Sequence, residues 1–588
     1  MPIHTYQERS AQFGRQRSRY ANQLAVLSLV RLMVFVAAIL SFYFHFARSY
    51  SVLLYIAIAL VVAFLFCIRL YDRIQRRADF AEALQQINDK EAGSTASNQD
   101  GNEYSDPHHP YSFDLDLFGD RSLFAFLNRT TTGFGRDKLA QSLLRPDPVQ
   151  IPERQVAVQE LAGMIDFRQE VQAAGTIRPL LGKDLDVLRK WLQAPPAFGS
   201  GISYRLMLLL PLLTFGLLLT YVFTEGDNWL TLFFADCAVN LGISFAFFRW
   251  IRSQLSISGT ITGVLQQLSE QLVRIEAAAF RSPLLRRMQS QLTTDKTSAS
   301  AAIRRLASLF RYLEFILNLV VSLVLNGLFL FHLHILFGLD RWKKKHGRSV
   351  LQWMETIGEA EALNSLANFS YNNSGYCFPE LLEGEGFAAT GLGHPLIHPE
   401  KRICNDLSLV NEKFVILTGS NMSGKSTFLR TLGINLVLAR AGSVVCAQTF
   451  SLYPYELHVS MRISDSLQDS ESLFYAELKR LQAIIRHLES NEKTFVILDE
   501  ILRGTNSNDK HAGTAGLITR LAASRVCGII ATHDLTIAAM TTGYPGYMVS
   551  KCFESDIVND ELVFDYRIRD GVCSKLNASY LMRKMDII

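Results

Sequence analysis

The stretch FVILTGSNMSGKST, residues 414–427, decides the fold class of the carboxyl-terminal part of the chain. Its first half is an apolar, partly β-branched run that predicts a strand, and the residues after the lysine predict a helix. Between them, the glycines and the lysine have the spacing GxxxxGK[ST], in which backbone N–H groups and a helix terminus face phosphates. The candidate phosphate-binding residues are Gly419, Ser420, Asn421, Met422, Ser423, Gly424, Lys425, Ser426 and Thr427.

Short apolar runs alternate with helical patterns around this loop, from about residue 387 onwards. In order they read FVILTG, STFLRTLGINLVLARA, TFVILDE, AGLITRLAAS and VCGIIATH. This alternation of strand and helix predicts a parallel sheet with crossover helices, in which ligands sit at the carboxyl ends of the strands. The predicted fold class of this part is therefore an α/β P-loop NTPase domain, a parallel sheet with flanking helices.

Two of these strands end in side chains suited to ATP hydrolysis. The run TFVILDE ends in Asp499 and Glu500, and the run GIIATH ends in His533. We expect Lys425 to reach the β- and γ-phosphates, and Ser426 and Asp499 to hold Mg²⁺. Glu500 is placed to orient or deprotonate the attacking water, and His533 to sense the γ-phosphate, with a structural role at the strand end as the alternative for His533. The predicted ligands are ATP and Mg²⁺.

Nearly uncharged runs elsewhere predict two transmembrane helical hairpins. The first comprises residues 32–47 and 52–68, and the second comprises residues 206–223 and 229–250, in which Asp236 weakens the case for the second arm. Each run is close to the length that crosses about 30 Å of hydrocarbon. Arginine clusters flank both hairpins on the side that should face the cytoplasm. These patterns predict a multi-pass protein of a bacterial inner membrane, with the ATPase domain in the cytoplasm.

A third apolar stretch, residues 315–339, is long enough to span a membrane but has basic clusters on both sides. A single crossing would leave one of those clusters outside the cell. We therefore interpret the stretch as a buried core helix, with a helix on the membrane surface as the alternative. His332 and His334 lie within it without a further ligand cluster, which argues against a metal site.

The composition excludes several other classes of protein. The 588 residues are 49% hydrophobic, too apolar and too long for a disordered chain. The 59 basic and 55 acidic residues leave a net charge of +4, which gives no global case for nucleic-acid binding. The eight cysteines show no CxxC spacing, so neither a zinc site nor a disulfide framework is indicated.

Changes in pattern along the chain divide it into units. The polar stretch after the first hairpin lacks periodic apolar residues and predicts a flexible linker. Helical periodicity on both sides of the second hairpin predicts an all-α core domain that the hairpin interrupts. The predicted units are 1–84, the first transmembrane hairpin; 85–111, the linker; 112–205, the first part of the helical core; 206–250, the second transmembrane hairpin; 251–386, the second part of the helical core; and 387–588, the ATPase domain.

Four motifs in the carboxyl-terminal part resemble those of the MutS family of DNA mismatch-repair ATPases. They read GSNMSGKST, SLFYAEL, DEILRGTNSND and ATH, at residues 419–427, 472–478, 499–509 and 531–533. An ABC-type transporter would carry an LSGGQ-like signature before the acidic strand, and this sequence has none. The resemblance covers about residues 110–200 and 250–588.

The resemblance implies a homodimer with two composite nucleotide sites. In the family, the signature serine is offered across the dimer interface, so Ser472 would complete the γ-phosphate site of the other subunit. Ser420 and Ser423 replace a proline and a glycine of the family pattern but leave the backbone donors in place. Leu502 and Lys510 replace glycines, which changes the expected geometry of that segment. The residues before the helical core leave no room for the family's mismatch-reading domain.

The leading interpretation is a membrane-anchored MutS-like ATPase that binds and hydrolyses ATP in a dimer, with a DNA-binding or mismatch-repair-like output. The alternative is a membrane-remodelling or transport-associated ATPase that no longer binds DNA. A third interpretation is a structural membrane protein with an inactive nucleotide site. The expected partners are a second copy of the chain and the lipid bilayer. Whether DNA is also a partner is left open.

Overall fold

The computed structural model describes most of the chain, and every structural statement below concerns the described part. It comprises residues 2–48, 50–93, 99–178, 182–195, 201–224, 226–294, 297–462, 473–489, 493–558 and 561–573.

The amino-terminal hairpin consists of two long helices, α1 (Pro2–Arg48) and α2 (Ser51–Ala92), which lie side by side. Each contains an apolar window long enough to cross a membrane, and only 6% of that window is buried. Phe46 and Tyr55, for example, are 80% and 72% exposed. The hairpin therefore presents bare apolar helices to its surroundings.

Helices also build the middle of the molecule. In chain order they are α3 (Leu123–Leu127), α4 (Gly133–Leu144), α5 (Ile151–Gly163), α6 (Ile165–Thr176), α7 (Gly182–Gln193), α8 (Gly201–Thr224), α9 (Asp227–Ala246), α10 (Phe248–Ala277), α11 (Pro283–Ser290), α12 (Ala299–Leu313), α13 (Leu319–Phe329) and α14 (Phe331–Asn372). Two short antiparallel ladders accompany them, β1 (Gln99–Asp100) with β2 (Gly119–Asp120) and β3 (Thr293–Thr294) with β4 (Thr297–Ser298).

The helical core forms because these helices are amphipathic. In α12, buried residues recur every three or four positions, as in Ile303, Leu306, Phe310 and Leu313. This stripe packs against α10 and α14. The long α14 contacts most of the other core helices and is the centre of the domain.

The structure corrects the expected flexible linker at 85–111. Residues 85–92 continue α2, because the buried Asn88 exchanges hydrogen bonds with Gln169 of α6 over 3.1 Å and 2.8 Å. The buried Tyr111 donates from its hydroxyl to the carbonyl of Leu143 over 2.8 Å. The described residues of this segment are thus attached to the helical core at both ends.

The helices α8 and α9 form the second hairpin, and α13 packs against both. The described apolar part of α8, Leu209–Thr224, is shorter than a membrane-spanning helix. In contrast, α9, which was expected to be the weaker arm, is long and apolar enough to span a membrane. Among the described residues, three helices are long and apolar enough to span a membrane: α1, α2 and α9. The number of possible membrane-spanning segments rises to four if the bent pair Ala299–Leu317 and Leu319–Phe329 is counted as one segment.

Polar side chains of the second hairpin face inward. Asn240 is fully buried, and its Nδ2 donates to Thr214 Oγ1 over 3.1 Å and to the carbonyl of Gly327 over 2.9 Å. The Thr214 hydroxyl in turn donates to Asp236. Polar groups that would be costly in hydrocarbon therefore hold α8, α9 and α13 together.

The stretch 315–339 is not one helix. Leu330 adopts a left-handed conformation with φ 49°, and the chain also bends by 113° between Leu317 and Leu319. The part in α13 exposes apolar side chains, with Leu319 71% exposed, whereas the part in α14 is buried in the core. The core-helix interpretation thus describes only the second half. His332 lies there, fully buried, with Nδ1 2.9 Å from Asn326 Oδ1.

The described residues of the carboxyl-terminal domain form two sheets and four α-helices. In chain order the elements are β5 (Glu380–Leu381), β6 (Phe387–Leu392), β7 (Asn405–Ser408), β8 (Phe414–Gly419), α15 (Lys425–Arg440), β9 (Thr449–Leu452), β10 (Glu456–Ser460), α16 (Leu473–Leu488), β11 (Thr494–Asp499), α17 (Ser507–Ala523), β12 (Cys527–Ala531), α18 (Leu535–Ala538), β13 (Met548–Val558) and β14 (Glu561–Asp570).

The larger sheet has the order β10-β11-β12-β8-β13-β14. All neighbours in it are parallel except β13 and β14, which form an antiparallel hairpin. Every residue of β8, β11 and β12 is buried, as expected for strands covered by helices on both faces. The smaller sheet has the order β5-β9-β6-β7, and its strand β9 follows β8 and α15 in the chain.

Candidate active site

Three neighbouring strands end at the same edge of the larger sheet. The order β11-β12-β8 is parallel, so the residues that follow these strands are brought together. They are the glycine-rich loop after β8, the carboxylates Asp499 and Glu500 at the end of β11, and His533 after β12. The site residues that the sequence predicts are therefore neighbours, apart from Ser472, which lies outside the described residues.

The loop between β8 and α15 requires its glycines. Gly424 is the N-cap of α15 with φ 101°, a left-handed conformation that disfavours side chains. At Gly419, with φ 151°, a Cβ atom would lie 2.8 Å from Ser423 Oγ and 2.9 Å from the carbonyl oxygen of Phe553. Lys425, only 5% exposed, donates from Nζ to the carbonyls of Gly419 over 2.7 Å and Ser420 over 3.0 Å. The loop thus folds back on its own lysine.

A hydroxyl and a carboxylate meet beside this loop. Ser426 Oγ donates to Asp499 Oδ2 over 2.5 Å. The other carboxylate oxygen, Asp499 Oδ1, is buried and has no hydrogen-bond partner among the described residues. Burial raises the pKa of Asp499, and the Ser426 hydrogen bond and the positive charge of Arg503 oppose that shift. A free buried oxygen beside a hydroxyl fits Mg²⁺, which prefers oxygen ligands.

The carboxylate of Glu500 lies close to the basic side chains of Lys425 and His533. Its Oε1 lies 3.9 Å from Lys425 Nζ and 3.7 Å from His533 Nδ1. Burial lowers the pKa of Lys425, while the charges of Glu500 and Asp499 oppose this effect. The backbone of Glu500 is left-handed with φ 47°, a conformation that costs on the order of 1–3 kcal/mol and is common at functional sites.

A cavity of about 420 Å³ opens onto the loop and is also lined by residues that the sequence analysis did not assign to the site. They include His394, Asn405 and Tyr566. Asn405 joins two distant segments, since its Nδ2 donates to the carbonyl of Tyr566 over 3.0 Å and its Oδ1 accepts from the N–H of Ile568 over 2.8 Å. Only the resemblance of these segments to a known family could have pointed to them.

Two further residues position the carboxylates. Arg503 donates from Nε to the carbonyl of Glu500 over 2.9 Å and from Nη2 to the carbonyl of Asp499 over 3.1 Å. Glu477, in α16, accepts from the N–H groups of Leu502 over 2.6 Å and Arg503 over 3.2 Å. The signature helix that begins after Ser472 is therefore bonded to the segment that carries the carboxylates.

A protein family and several relatives match part of this chain. Residues 415–584 match the family MutS domain V. The chain is 30% identical over 238 residues to the DNA mismatch repair protein MutS of Thermotoga petrophila, which covers 40% of this chain and 29% of that protein. The DNA mismatch repair protein MSH3 of Arabidopsis thaliana is 29% identical over 241 residues, covering 38% of this chain and 22% of that protein. The matched region thus spans less than a third of these relatives, and the carboxyl-terminal domain of the chain is similar to domain V of the MutS family.

Proposed function

We propose that the protein is a membrane-anchored ATPase that hydrolyses Mg²⁺-ATP in a homodimer. The observation that carries the catalytic part is the convergence at one sheet edge of Lys425, the pair Ser426 and Asp499, and Glu500. A cation, a metal-ligating pair and a further carboxylate are the groups that phosphoryl transfer to water requires.

Each residue has a separate task in this proposal. When ATP binds, its phosphates take the place of the loop carbonyls as partners of Lys425 Nζ. Ser426 and the free oxygen of Asp499 would hold Mg²⁺, which supplies positive charge against the phosphate oxygens. Glu500 accepts a proton from the water whose oxygen attacks the γ-phosphorus as the bond to ADP breaks. Ser472, from the partner subunit, and His533 are assigned to the γ-phosphate.

Bare apolar helices support membrane anchoring. Those of the first hairpin have only 6% of their apolar windows buried. Membrane insertion would remove this surface from water. We infer a cytoplasmic ATPase domain because positive side chains at the ends of the helices favour that orientation. We consider two functions that ATP hydrolysis could drive: DNA binding near the membrane, and remodelling of the membrane without DNA.

Hydrolysis is tested with the full-length protein in detergent. Glu500→Gln is expected to retain ATP binding and to lower turnover at least about 100-fold. Glu489→Gln, a change of an exposed carboxylate at the end of α16, is the matched control and should leave turnover unchanged. Equal turnover in all three proteins would overturn the proposed chemistry.

The output is tested by measuring affinity for homoduplex, mismatched and branched DNA against salt concentration. Contacts to DNA phosphates make affinity fall steeply with salt. Tight, salt-sensitive and ATP-dependent binding supports the DNA output. Absence of binding at low salt, together with ATP-dependent change in vesicle shape, supports the membrane output.

A further inference from the structure

An arginine-lined cleft separates α2 from α10 and α12. It has a volume of about 710 Å³ and continues into a second cavity of about 360 Å³ along α2. The larger cavity, which we call the arginine cleft, is lined by five arginines and three carboxylates. The arginines are Arg76, Arg178, Arg274, Arg304 and Arg311. The cleft is remote from the nucleotide site and plays no part in the proposed hydrolysis.

The arginines of the cleft outnumber the carboxylates that line it, by five to three. Among the described residues, no carboxylate pairs with Arg178, Arg304 or Arg311. Arg178 donates to Gln266 Oε1 over 2.8 Å, and the bond from Arg304 to Ser300 Oγ is 3.5 Å long. Such a set of open guanidinium groups attracts an anion that accepts several hydrogen bonds at once.

Each wall of the arginine cleft leads into an apolar helix, the proposed transmembrane part of α2 on one side and the short α13 on the other. On one wall, Ile68 is the last residue of the apolar run of α2, and Arg76 lies two turns further, about 12 Å along the helix axis. On the other wall, Arg311 is followed by the exposed Phe315 and Leu317, 45% and 74% exposed, and then by the apolar α13. Lipid phosphate groups lie within about 5–7 Å of the hydrocarbon. Long arginine side chains that extend back along the helix bring these phosphate groups within reach of the cleft.

We propose that the arginine cleft binds the phosphate groups of an anionic phospholipid and thereby joins α2 to α10 and α12. Basic pockets between membrane helices on the cytoplasmic side are suited to lipids that carry more than one phosphate. The chemistry that is recognised is a phosphate oxygen, which a soluble anion also offers. The depth of the cleft favours the lipid. This inference rests on the membrane anchoring that we propose for the protein.

The experiment measures lipid retention by native mass spectrometry of the full-length protein in detergent. The ligands are cardiolipin, phosphatidylglycerol, phosphatidylcholine and inorganic phosphate, each added separately. The test variant combines Arg178→Gln, Arg304→Gln and Arg311→Gln. The matched control combines Arg305→Gln, Arg341→Gln and Arg348→Gln, which are exposed arginines that do not line the cleft.

We expect cardiolipin to bind more tightly than phosphatidylcholine, and the test variant to lose at least about tenfold in cardiolipin affinity while the control keeps it. Equal loss in both variants, or in neither, overturns the proposal. Binding of inorganic phosphate without retention of cardiolipin overturns the lipid source. Unchanged ATP turnover and an unchanged melting temperature in the test variant show that a loss of binding is not a loss of folding.

Membrane anchoring is measured separately, by extraction of cell membranes with alkaline carbonate. A protein that is extracted by carbonate but retains cardiolipin through the arginine cleft would refute the anchoring and leave the cleft intact. A protein that resists extraction but binds no cardiolipin would refute the lipid site alone.

Discussion

Leu502 combines an unfavourable backbone conformation with a buried side chain. Its φ is 60°, a left-handed conformation that costs an L-residue about 1–2 kcal/mol. The side chain is 5% exposed and packs in the apolar cluster between α16 and α17. A glycine, which the family pattern has here, would avoid the strain but would leave this apolar site unfilled.

We predict that the alanine variant at position 502 does not have its usual stability advantage over the glycine variant. Leu502→Ala keeps the strain, so it should be no more stable than Leu502→Gly. At Leu481, a buried position inside α16, the alanine variant should be more stable than the glycine variant by about 1 kcal/mol. Thermal unfolding of the four variants measures both differences. The same order and size of difference at both positions would contradict the strain.

Glu361 is a fully enclosed carboxyl group in α14. It accepts hydrogen bonds from the backbone N–H groups of Thr131 and Thr132, over 3.3 Å and 3.2 Å, and from Gln271 Nε2 over 2.8 Å. Burial raises its pKa above the ordinary value of 4.5, although these hydrogen bonds oppose the shift. The folded state therefore binds the proton more tightly than the unfolded state does.

The sign of the resulting pH dependence follows from this shift. Stability from protonated Glu361 is fully present below its unfolded pKa and is lost as the pH rises through the higher folded pKa. Glu361→Gln cannot ionise. We therefore expect the melting temperature of this variant, relative to that of the natural protein, to increase as the pH rises. Melting curves in detergent between about pH 5 and pH 9 measure this. Parallel curves for the two proteins would contradict the prediction, and Glu355→Gln, an exposed change in the same helix, is the control.

The segment that follows the first hairpin is fastened to the ATPase domain by Asp114. This fully buried residue accepts from the N–H groups of Met461 over 2.8 Å and Arg462 over 2.7 Å. The guanidinium of Arg480, in α16, lies 2.5 Å from its other oxygen. One carboxylate thus holds the end of β10 and the signature helix in place.

We predict that Asp114→Ala destabilises the protein by about 3 kcal/mol, because it leaves Arg480 and two N–H groups without their partner. ATP turnover should also fall, since α16 is bonded through Glu477 to the segment beside the carboxylates. Denaturant unfolding and steady-state hydrolysis measure the two effects. Glu153→Ala removes an exposed ion pair with Arg287 and should change neither. A variant of Asp114 that behaves like this control would refute the role of Asp114.

The elements that the sequence predicts best are those with local chemistry. The strands β8, β11 and β12 are short and mostly apolar, and glycines, carboxylates or a histidine follow or end them, so both their type and their meeting at one edge were expected. The end of α2 was not expected, because the polar residues 85–92 are held by contacts with distant parts of the chain, such as Gln169 in α6. The bend at Leu330 was missed for a similar reason, since an apolar run does not show where its neighbours change.

At the scale of the whole molecule, α14 is a rod between the second hairpin and the ATPase domain. Its 42 residues extend over about 63 Å. Near its far end, Glu359 pairs with Arg154 over 2.6 Å, and Arg154 donates to the carbonyl of Ala441, just after α15, over 3.0 Å. Arg154, in α5, thereby links the helix that begins at the phosphate loop to the helix that begins beside α13.

We predict that this rod transmits the nucleotide state to α13. A fluorophore at the 70% exposed Val320 should change its emission when ATP binds to the protein in vesicles. Lys344→Gly with Lys345→Gly, which weakens the exposed face of α14 by about 1 kcal/mol per site, should reduce that change. The matched variant with two alanines should keep it. A response that survives both glycines would show that α14 does not carry the signal.

The interruption of the helical core by the second hairpin has a consequence for biosynthesis. The backbone of Phe134 in α4 packs against Gly358 of α14, which leaves the ribosome roughly 220 residues later. At ordinary rates of translation that delay is about 10–40 s. During this time the apolar face of α4 has no partner while the second hairpin is synthesised. Newly made chains should therefore depend on a chaperone that shelters the early half until the late half has been synthesised.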